Sequence, residues 1–261
     1  MNRNDLTIYE KNKRDLMKIK ALSTHPIKPG ESILAILDQY VVSVTEKGVV
    51  AITSKIISLC QGRVVPKNSV RSKYTLVKTE ADAYLREDQS LYNAHLTIKN
   101  NILIPSAGID ESNGDGMYIL YPHDIQQAAK LIWQHLCEKH QVTHLGIIIT
   151  DSHTTPLRKG VTGITLGWCG FEPLYSYVGK PDIFNYPLQV TQINILDALA
   201  TSAVFVMGEG SEQTPIVLIE DAPKIQFLSR HPTLEEERMI HIPLAEDIYA
   251  PLLQKVDWIW N

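Results

Sequence analysis

Three carboxylates stand where segments of predicted regular structure end. Asp110 comes after one apolar run, Asp151 comes after a second, and Glu209 follows a stretch with helical spacing. Ser152, beside Asp151, could add a hydroxyl ligand. Carboxylate and hydroxyl oxygens are the ligands that Mg²⁺ and Mn²⁺ prefer in proteins, usually together with phosphate oxygens and water. If the fold brings these side chains together, they could hold a divalent cation.

The segment IPSAGIDESNGDG (104–116), which contains Asp110, allows two interpretations. Asn, Asp and Gly form turns for local reasons, so the segment could be a surface turn. It could also be a cradle for a cation and phosphates, in which the backbone amides of SNGDG form an anion-binding nest. Because the three carboxylates are far apart in the sequence, their spacing alone does not decide between the two.

Apolar periodicity predicts the elements that would position the carboxylates. Helices are predicted for GESILAILDQYV (30–41), for DIQQAAKLIWQHLCEKHQ (124–141) and for residues 193–207. Strands are predicted for GVVAITSKIISL (48–59), for HLGIIITD (144–151) and for TPIVLIED (214–221). A hairpin is predicted for LTIKNNILIP (96–105).

Details at the ends of these elements matter for the site. Asp124 is predicted to be a helix N-cap, and Gly208 is predicted to end the helix that precedes Glu209. The strand 144–151 is apolar almost throughout, which is typical of a strand covered on both faces, and we expect it to end at Asp151. The hairpin is expected to turn at Asn100-Asn101 and to deliver Asp110 close behind it.

The order of these elements indicates the fold class. Strands and helices follow one another without a regular βαβ rhythm, which favours a mixed α/β or α+β fold over a Rossmann fold. The sequence has neither a fixed-period repeat nor a low-complexity linker, so we treat residues 1–261 as one unit. A division into a main lobe and a smaller inserted lobe is left without fixed boundaries.

Composition excludes several classes of partner. The chain has 261 residues, a net charge of −4 and scattered basic residues, which argues against nucleic-acid and membrane-surface binding and favours a small-molecule ligand. Cys60, Cys137 and Cys169 lack CxxC spacing, so neither a disulfide framework nor a structural zinc site is predicted. The N-terminal 22 residues lack the apolar core of a signal peptide, and no apolar run is long enough for a membrane helix. We therefore expect a cytoplasmic protein.

Four segments resemble, in order, characteristic blocks of the coenzyme F(420) γ-glutamyl ligase family. They are SAGIDESN (106–113), ITDS to FEPL (149–174), GKPDIFNYPLQVT (179–191) and DALATSAVFVMGEG (197–210). The resemblance implies a GTP-dependent amide ligase with two divalent metal ions. It also implies a fold of two lobes, with mixed β-sheets and flanking helices, and an intertwined homodimer with sites near the subunit interface.

The resemblance also implies roles for individual residues. Asp110 and Asp151 would bind one metal ion, and Ser152 and Glu209 the second. The positions that match nucleotide-contacting residues of the family are Ile27, Lys28, Ser54, Lys55, Asn113, Gly208, Gly210 and Gln213. Lys55 and Arg158 would act as catalytic cations on phosphate or acceptor charge. The implied ligands are Mg²⁺ or Mn²⁺, GTP or ATP, L-glutamate and a small-molecule acceptor, with K⁺ left open as a further ion.

Two cationic positions of the family are replaced in this chain. Its SLCQGR segment places Leu59 where the family's SKAEGR segment has a lysine, and SHTTPLR places Thr154 and Thr155 where an arginine precedes the proline. This variant is similar to a bacterial subgroup that adds glutamate to folates, so the acceptor is left open between a deazaflavin and a folate. A non-catalytic nucleotide-binding protein and a nucleotide phosphohydrolase remain as alternatives.

Overall fold

A computed structural model describes residues 16–261 of the chain. The helices in this range are α1 (Ile33–Tyr40), α2 (Ser54–Cys60), α3 (Lys73–Glu80), α4 (Ile125–His140), α5 (Ile195–Met207), α6 (Leu234–Arg238) and α7 (Ala250–Leu253). The strands are β1 (Lys18–Leu22), β2 (Gly48–Thr53), β3 (Val64–Pro66), β4 (Ala83–Tyr84), β5 (Leu96–Lys99), β6 (Ile102–Pro105), β7 (Met117–Ile119), β8 (Leu145–Thr154), β9 (Val161–Cys169), β10 (Leu174–Ser176), β11 (Gln192–Asn194), β12 (Ile216–Glu220) and β13 (Ile259–Trp260). The prediction that the N-terminus is not a signal peptide concerns mainly residues 1–15, which lie outside the described range.

The largest sheet has five strands in the order β1-β12-β2-β8-β9. Only β2 and β8 run parallel, and the other neighbours are antiparallel. A mixed sheet of this order differs from the parallel, doubly wound sheet of a Rossmann fold. The predicted mixed α+β class is therefore confirmed.

Apolar residues on the two faces of the main sheet form two cores. In β2, Val50 and Ile52 pack against residues of α1, α2 and α4, whereas Val49 and Ala51 face α5 on the opposite side. This alternation follows from the two-residue period of a strand. The predicted burial of the apolar run 145–149 on both faces is confirmed, because Ile147 belongs to the first core and Ile148 to the second.

A smaller part of the chain is built around a four-stranded sheet of order β13-β4-β5-β6. β5 and β6 form the predicted hairpin: Lys99 pairs with Ile102, and Asn100 and Asn101 have φ values of 51° and 60°. The left-handed conformation of the two asparagines makes the tight turn that such a two-residue loop requires. The hairpin leads through a short turn to Asp110, as expected.

Two details of the predicted elements were wrong, and the predicted N-cap is confirmed in position only. The predicted strand 48–59 is β2 followed directly by α2, because Ile56 and Ile57 pack into the first core from a helix and tertiary packing overrides their β propensity. β8 does not end at Asp151, because antiparallel pairing with β9 extends it to Thr154. Asp124 occupies the N-cap position of α4, but its left-handed backbone leaves its side chain without a capping hydrogen bond.

The helices also bear on the question of a membrane span. Between residues 16 and 261, no helix combines the length and the apolar character needed to cross a bilayer.

Candidate active site

A cleft of about 400 Å³ opens at one end of the main sheet. Its walls come from the residues that follow β1, from the junction of β2 and α2, from β8, and from the loop that follows α5. The turn after the β5–β6 hairpin closes another side. The volume falls in the range of ligand-binding pockets, roughly 300–1,000 Å³.

Most of the predicted site residues line this one cleft. They are Ile27, Lys55, Asp110, Asn113, Asp151, Ser152, Gly208, Glu209, Gly210 and Gln213. The other three do not line it: Ser54 is buried at the start of α2, Lys28 is an exposed residue next to Ile27, and Arg158 is exposed on the turn between β8 and β9. The fold therefore joins the three predicted carboxylates but leaves Arg158 apart from them.

Asp110 makes the hydrogen bonds of a local turn and also reaches the cleft. Its Oδ1 atom accepts hydrogen bonds from the backbone N–H groups of Glu111, at 2.6 Å, and Ser112, at 2.8 Å, as in a local turn. Its Oδ2 atom lies 2.5 Å from Nζ of Lys55, in the cleft. Burial acts to raise the pKa of Asp110, but the contacts with Lys55 and Ser112 outweigh burial and hold this pKa below its ordinary value. Asp110 is therefore an anion that Lys55 neutralises.

Asp151 lies in a different environment. It follows an irregularity in the pairing of β8 with β9 between Ile149 and Thr150, and its Oδ2 atom accepts a hydrogen bond of 2.6 Å from the hydroxyl of Tyr121. Burial raises the pKa of Asp151 to about 7, against the opposing effect of the hydrogen bonds from Tyr121 and the Ser152 backbone. The fold thus maintains a carboxylate where its charged form is poorly stabilised by protein groups alone.

Glu209 reaches the cleft from the end of α5. Gly208, with a φ of +77°, breaks the helix and turns the chain toward the cleft. Burial raises the pKa of Glu209, and a hydrogen bond with the Ser152 side chain opposes the rise. The carbonyl groups at a helix C-terminus carry partial negative charge, which further favours a cation beside Glu209.

The oxygen donors of Asp110, Asp151, Ser152 and Glu209 suit a hard divalent cation. The raised pKa values of Asp151 and Glu209 support this match, because a bound cation would supply the charge compensation that their surroundings lack. Within residues 16–261, however, no three His, Cys, Asp or Glu side chains are grouped as closely as in a preformed metal centre. The donor chemistry fits a metal ion, and the donors come from three parts of the chain: the turn of Asp110, β8 with Asp151 and Ser152, and the loop of Glu209.

Comparison with known proteins decides the family. The model of the F420-0:gamma-glutamyl ligase family matches residues 21–221. The chain belongs to this family. It is a ligase family that forms γ-glutamyl bonds, and its match includes every candidate site residue named above.

Several curated relatives in this ligase family are archaeal proteins. The coenzyme F420:L-glutamate ligase of Methanopyrus kandleri is 28% identical over 207 residues, which cover 74% of this chain and 81% of that protein. The enzymes of the same name from Methanocaldococcus jannaschii and Methanosarcina mazei are 38% and 37% identical, over 48% and 44% of this chain. Those two matches cover 49% and 45% of the archaeal proteins, so this chain spans about half their length.

Leu59, which replaces a lysine of the ligase family's pattern, forms part of an apolar wall of the cleft. It lines the cleft with Ile56, Val204 and Met207, and its side chain is only 9% exposed. The cleft therefore has an apolar surface at the position where the family resemblance implies a positive charge. Thr154 and Thr155 lie where β8 ends, outside the cleft lining.

Two residues of the site were missed by the sequence analysis. Glu212 accepts a hydrogen bond from the backbone N–H of Gly210 at 2.8 Å, and a Cβ atom at Gly208 would lie 2.4 Å from its carboxyl carbon. Tyr121 holds Asp151 from a segment that shows no chemical motif. Glu212 could have been noticed as a second acidic residue shortly after Glu209, whereas only the fold shows the contact between Tyr121 and Asp151.

Proposed function

We propose that this protein is a nucleotide- and divalent-metal-dependent γ-glutamyl ligase. It joins the amine of L-glutamate to a carboxylate of a coenzyme F(420)-0-like or folate acceptor. The observation that carries the proposal is the convergence of Asp110, Asp151 and Glu209, with Lys55, on one cleft in a chain of the F420-0:gamma-glutamyl ligase family. The names of the curated relatives support the deazaflavin acceptor, and the replacement at Leu59 is the feature that keeps folate open.

The reaction would proceed in two steps. An oxygen of the acceptor carboxylate attacks the γ-phosphorus of the nucleotide and displaces the nucleoside diphosphate, which gives an acyl phosphate. The glutamate nitrogen then attacks the acyl carbon, phosphate leaves, and the amine loses a proton as the amide forms. Divalent cations held by Asp110, Asp151, Ser152 and Glu209 would neutralise charge on the phosphates.

The protein's own groups would mainly orient and stabilise charge. The side chain of Lys55 is 26% exposed and lines the cleft, where its ammonium can contact a phosphate oxygen. The loop from Gly208 to Gln213 would contact the nucleotide, and the hydrogen bond of 3.0 Å from the Asn113 side chain to the Gly210 carbonyl fixes this loop to the turn of Asp110. Positioning of this kind accounts for most of the catalysis of phosphoryl transfer.

Arg158 lies on the β8–β9 turn, outside the cleft. A catalytic role for it requires movement of this turn or a site completed by a second copy of the chain. The predicted homodimer would provide the second route. The homodimer is supported by three apolar residues in the segment before β11 that are exposed in the single chain. They are Ile183, Phe184 and Val190, which are 92%, 74% and 84% exposed. The homodimer, the cytoplasmic location and a K⁺ site stay predictions.

The test measures transfer of radiolabelled L-glutamate to coenzyme F(420)-0 and to tetrahydrofolate, each with GTP or ATP and with Mg²⁺ or Mn²⁺. Asp110→Asn and Asp151→Asn should each lower turnover at limiting Mn²⁺ by about 100-fold, since each removes a ligand that neutralises phosphate charge. Asp88→Asn, at an exposed aspartate with a side chain that is 72% exposed, is the matched control and should retain wild-type turnover.

Each contrary result has a defined meaning. Near wild-type turnover in Asp110→Asn or Asp151→Asn contradicts the assignment of these carboxylates. Phosphate release that does not depend on glutamate indicates a phosphohydrolase. Nucleotide binding without turnover on either acceptor indicates a non-catalytic binding protein.

A further inference from the structure

The hydroxyl of Tyr121 makes a buried hydrogen bond to a carboxylate of the cleft. Tyr121 is 3% exposed, and its hydroxyl donates to Oδ2 of Asp151 at 2.6 Å. Tyr121 is not among the residues that line the cleft, so it contacts Asp151 from behind. One oxygen of the carboxylate is thereby held by the protein in a residue that lines the cleft.

The backbone around Tyr121 is held at several points. Arg63 donates from Nε to the Tyr121 carbonyl at 2.9 Å, and its guanidinium pairs with Glu80 at 2.6 Å. Two residues further along the chain, the side-chain amide of Gln61 exchanges two hydrogen bonds with the backbone of His123, at 3.0 and 2.8 Å. Because these contacts hold the backbone at Tyr121 and two residues beyond it, they restrain the position from which the Tyr121 side chain projects.

The ring of Tyr121 packs directly against Gly108. A Cβ atom built on Gly108 would lie 2.0 Å from the Tyr121 ring, so only glycine leaves room for the ring. Ser106, Ala107 and Gly108 all have left-handed backbones, with φ values of 53°, 53° and 70°. This conformation is costly for serine and alanine, and it is held by the buried Thr97 hydroxyl, which accepts from the Ala107 amide at 2.8 Å. The same turn that delivers Asp110 therefore makes space for the ring that contacts Asp151.

We propose that Tyr121 is a positioning residue for the metal site, which orients the Asp151 carboxylate for a divalent cation. This inference rests on the proposed function, because it assumes that Asp151 is a metal ligand. The physical reason is general: a ligand carboxylate that is hydrogen-bonded from outside the metal site loses less freedom on binding, and such partners typically change metal affinity by about 10- to 100-fold. Tyr121 touches neither the phosphates nor the acceptor and has no part in the bond-making steps.

The experiment measures Mn²⁺ affinity of the full chain from the electron paramagnetic resonance signal of free Mn²⁺, without nucleotide. Tyr121→Phe keeps the ring beside Gly108 and removes only the hydroxyl. Tyr74→Phe is the matched control, because the Tyr74 hydroxyl also donates a hydrogen bond, to the Leu85 carbonyl at 3.1 Å, outside the cleft lining. We expect Mn²⁺ affinity to fall about 10- to 100-fold in Tyr121→Phe and to stay within twofold of wild type in Tyr74→Phe, with similar unfolding midpoints for the two variants.

The outcomes separate this inference from the proposed function. If Asp151→Asn loses Mn²⁺ affinity but Tyr121→Phe binds as tightly as Tyr74→Phe, the positioning role is overturned while the metal site stands. If the wild-type protein itself does not bind Mn²⁺, both the metal site and the role of Tyr121 are overturned. A purely structural role for the tyrosine would lower the unfolding midpoint without changing the Mn²⁺ affinity measured well below it, and that result also overturns the inference.

Discussion

Asp151→Asn should stabilise the metal-free protein at pH 8 while it abolishes the proposed metal site. In the folded protein, burial raises the pKa of Asp151 from its ordinary value of 3.8 to about 7. The folded state therefore binds this proton more tightly than the unfolded state. Linkage then requires that ionisation of Asp151 lowers the free energy of unfolding as the pH rises from about 4 to about 7.

The magnitude follows from the difference between the two pKa values. A difference of about 3 pKa units corresponds to about 4 kcal/mol at pH 8, where the side chain is ionised in both states. Asparagine removes this cost, but its amide N–H groups need partners that the carboxylate did not need, and we allow about 2 kcal/mol for that loss. The net gain is then about 2 kcal/mol at pH 8. Near pH 4, where the aspartate is protonated in the folded protein, only the loss remains, so Asp151→Asn should be about 2 kcal/mol less stable than wild type.

Urea denaturation in the presence of EDTA, followed by circular dichroism at pH 4, 6 and 8, measures this effect. The control is Asp88→Asn, which replaces an aspartate by an asparagine at the surface, where the Asp88 side chain is 72% exposed. A variant Asp151→Asn that is less stable than wild type at pH 8, or a stability difference that does not change with pH, would refute the argument that Asp151 is a strained buried carboxylate.

Three further predictions concern Gly108, which contacts the Tyr121 ring, and the cleft residues Lys55 and Leu59. Gly108→Ala should lower the free energy of unfolding by about 2–4 kcal/mol in urea denaturation, because the added Cβ would overlap the Tyr121 ring. The control is Gly62→Ala, since Gly62 has a similar φ, 68° against 70° for Gly108, but open space around it. This control should lower the free energy of unfolding by only about 1–2 kcal/mol. Lys55→Met should lower ligase turnover by about 100-fold in the glutamate-transfer assay, and an effect below threefold would contradict its role at the phosphates. Leu59→Lys, which restores a cation to the cleft wall, should tighten nucleotide binding by roughly tenfold in isothermal titration calorimetry, and unchanged affinity would show that this wall does not face the phosphates.

The elements that strict periodicity specifies were predictable from the sequence. The apolar stripe of α4 and the two-sided burial of the run 145–149 depend on residues within one segment, and both are confirmed. The mixed class of the fold also followed from the order of the segments. The α2 helix was not predictable in this way, because β-branched residues favour a strand locally and only packing against the first core turns them into a helix.

The candidate site was predictable in its residues but not in its contacts. The positions of Asp110, Asp151 and Glu209 came from the family resemblance together with their places near the ends of elements, and the fold brings them to one cleft. Pairings between distant segments were not foreseeable from spacing. Examples are the ion pair of Lys55 with Asp110 and the hydrogen bond of Tyr121 to Asp151, which join residues that are 55 and 30 positions apart in the sequence.

The position of β12 in the main sheet has a consequence for biosynthesis. This strand lies between β1 and β2, although it is translated after the other four strands of the sheet. A nascent chain that has emerged as far as α5 therefore carries two strands whose facing edges have no partner. Such unpaired edges favour aggregation and engage chaperones. The main sheet, and with it a cleft that needs both Ile27 and Gln213, can be completed only after residues 216–220 have left the ribosome.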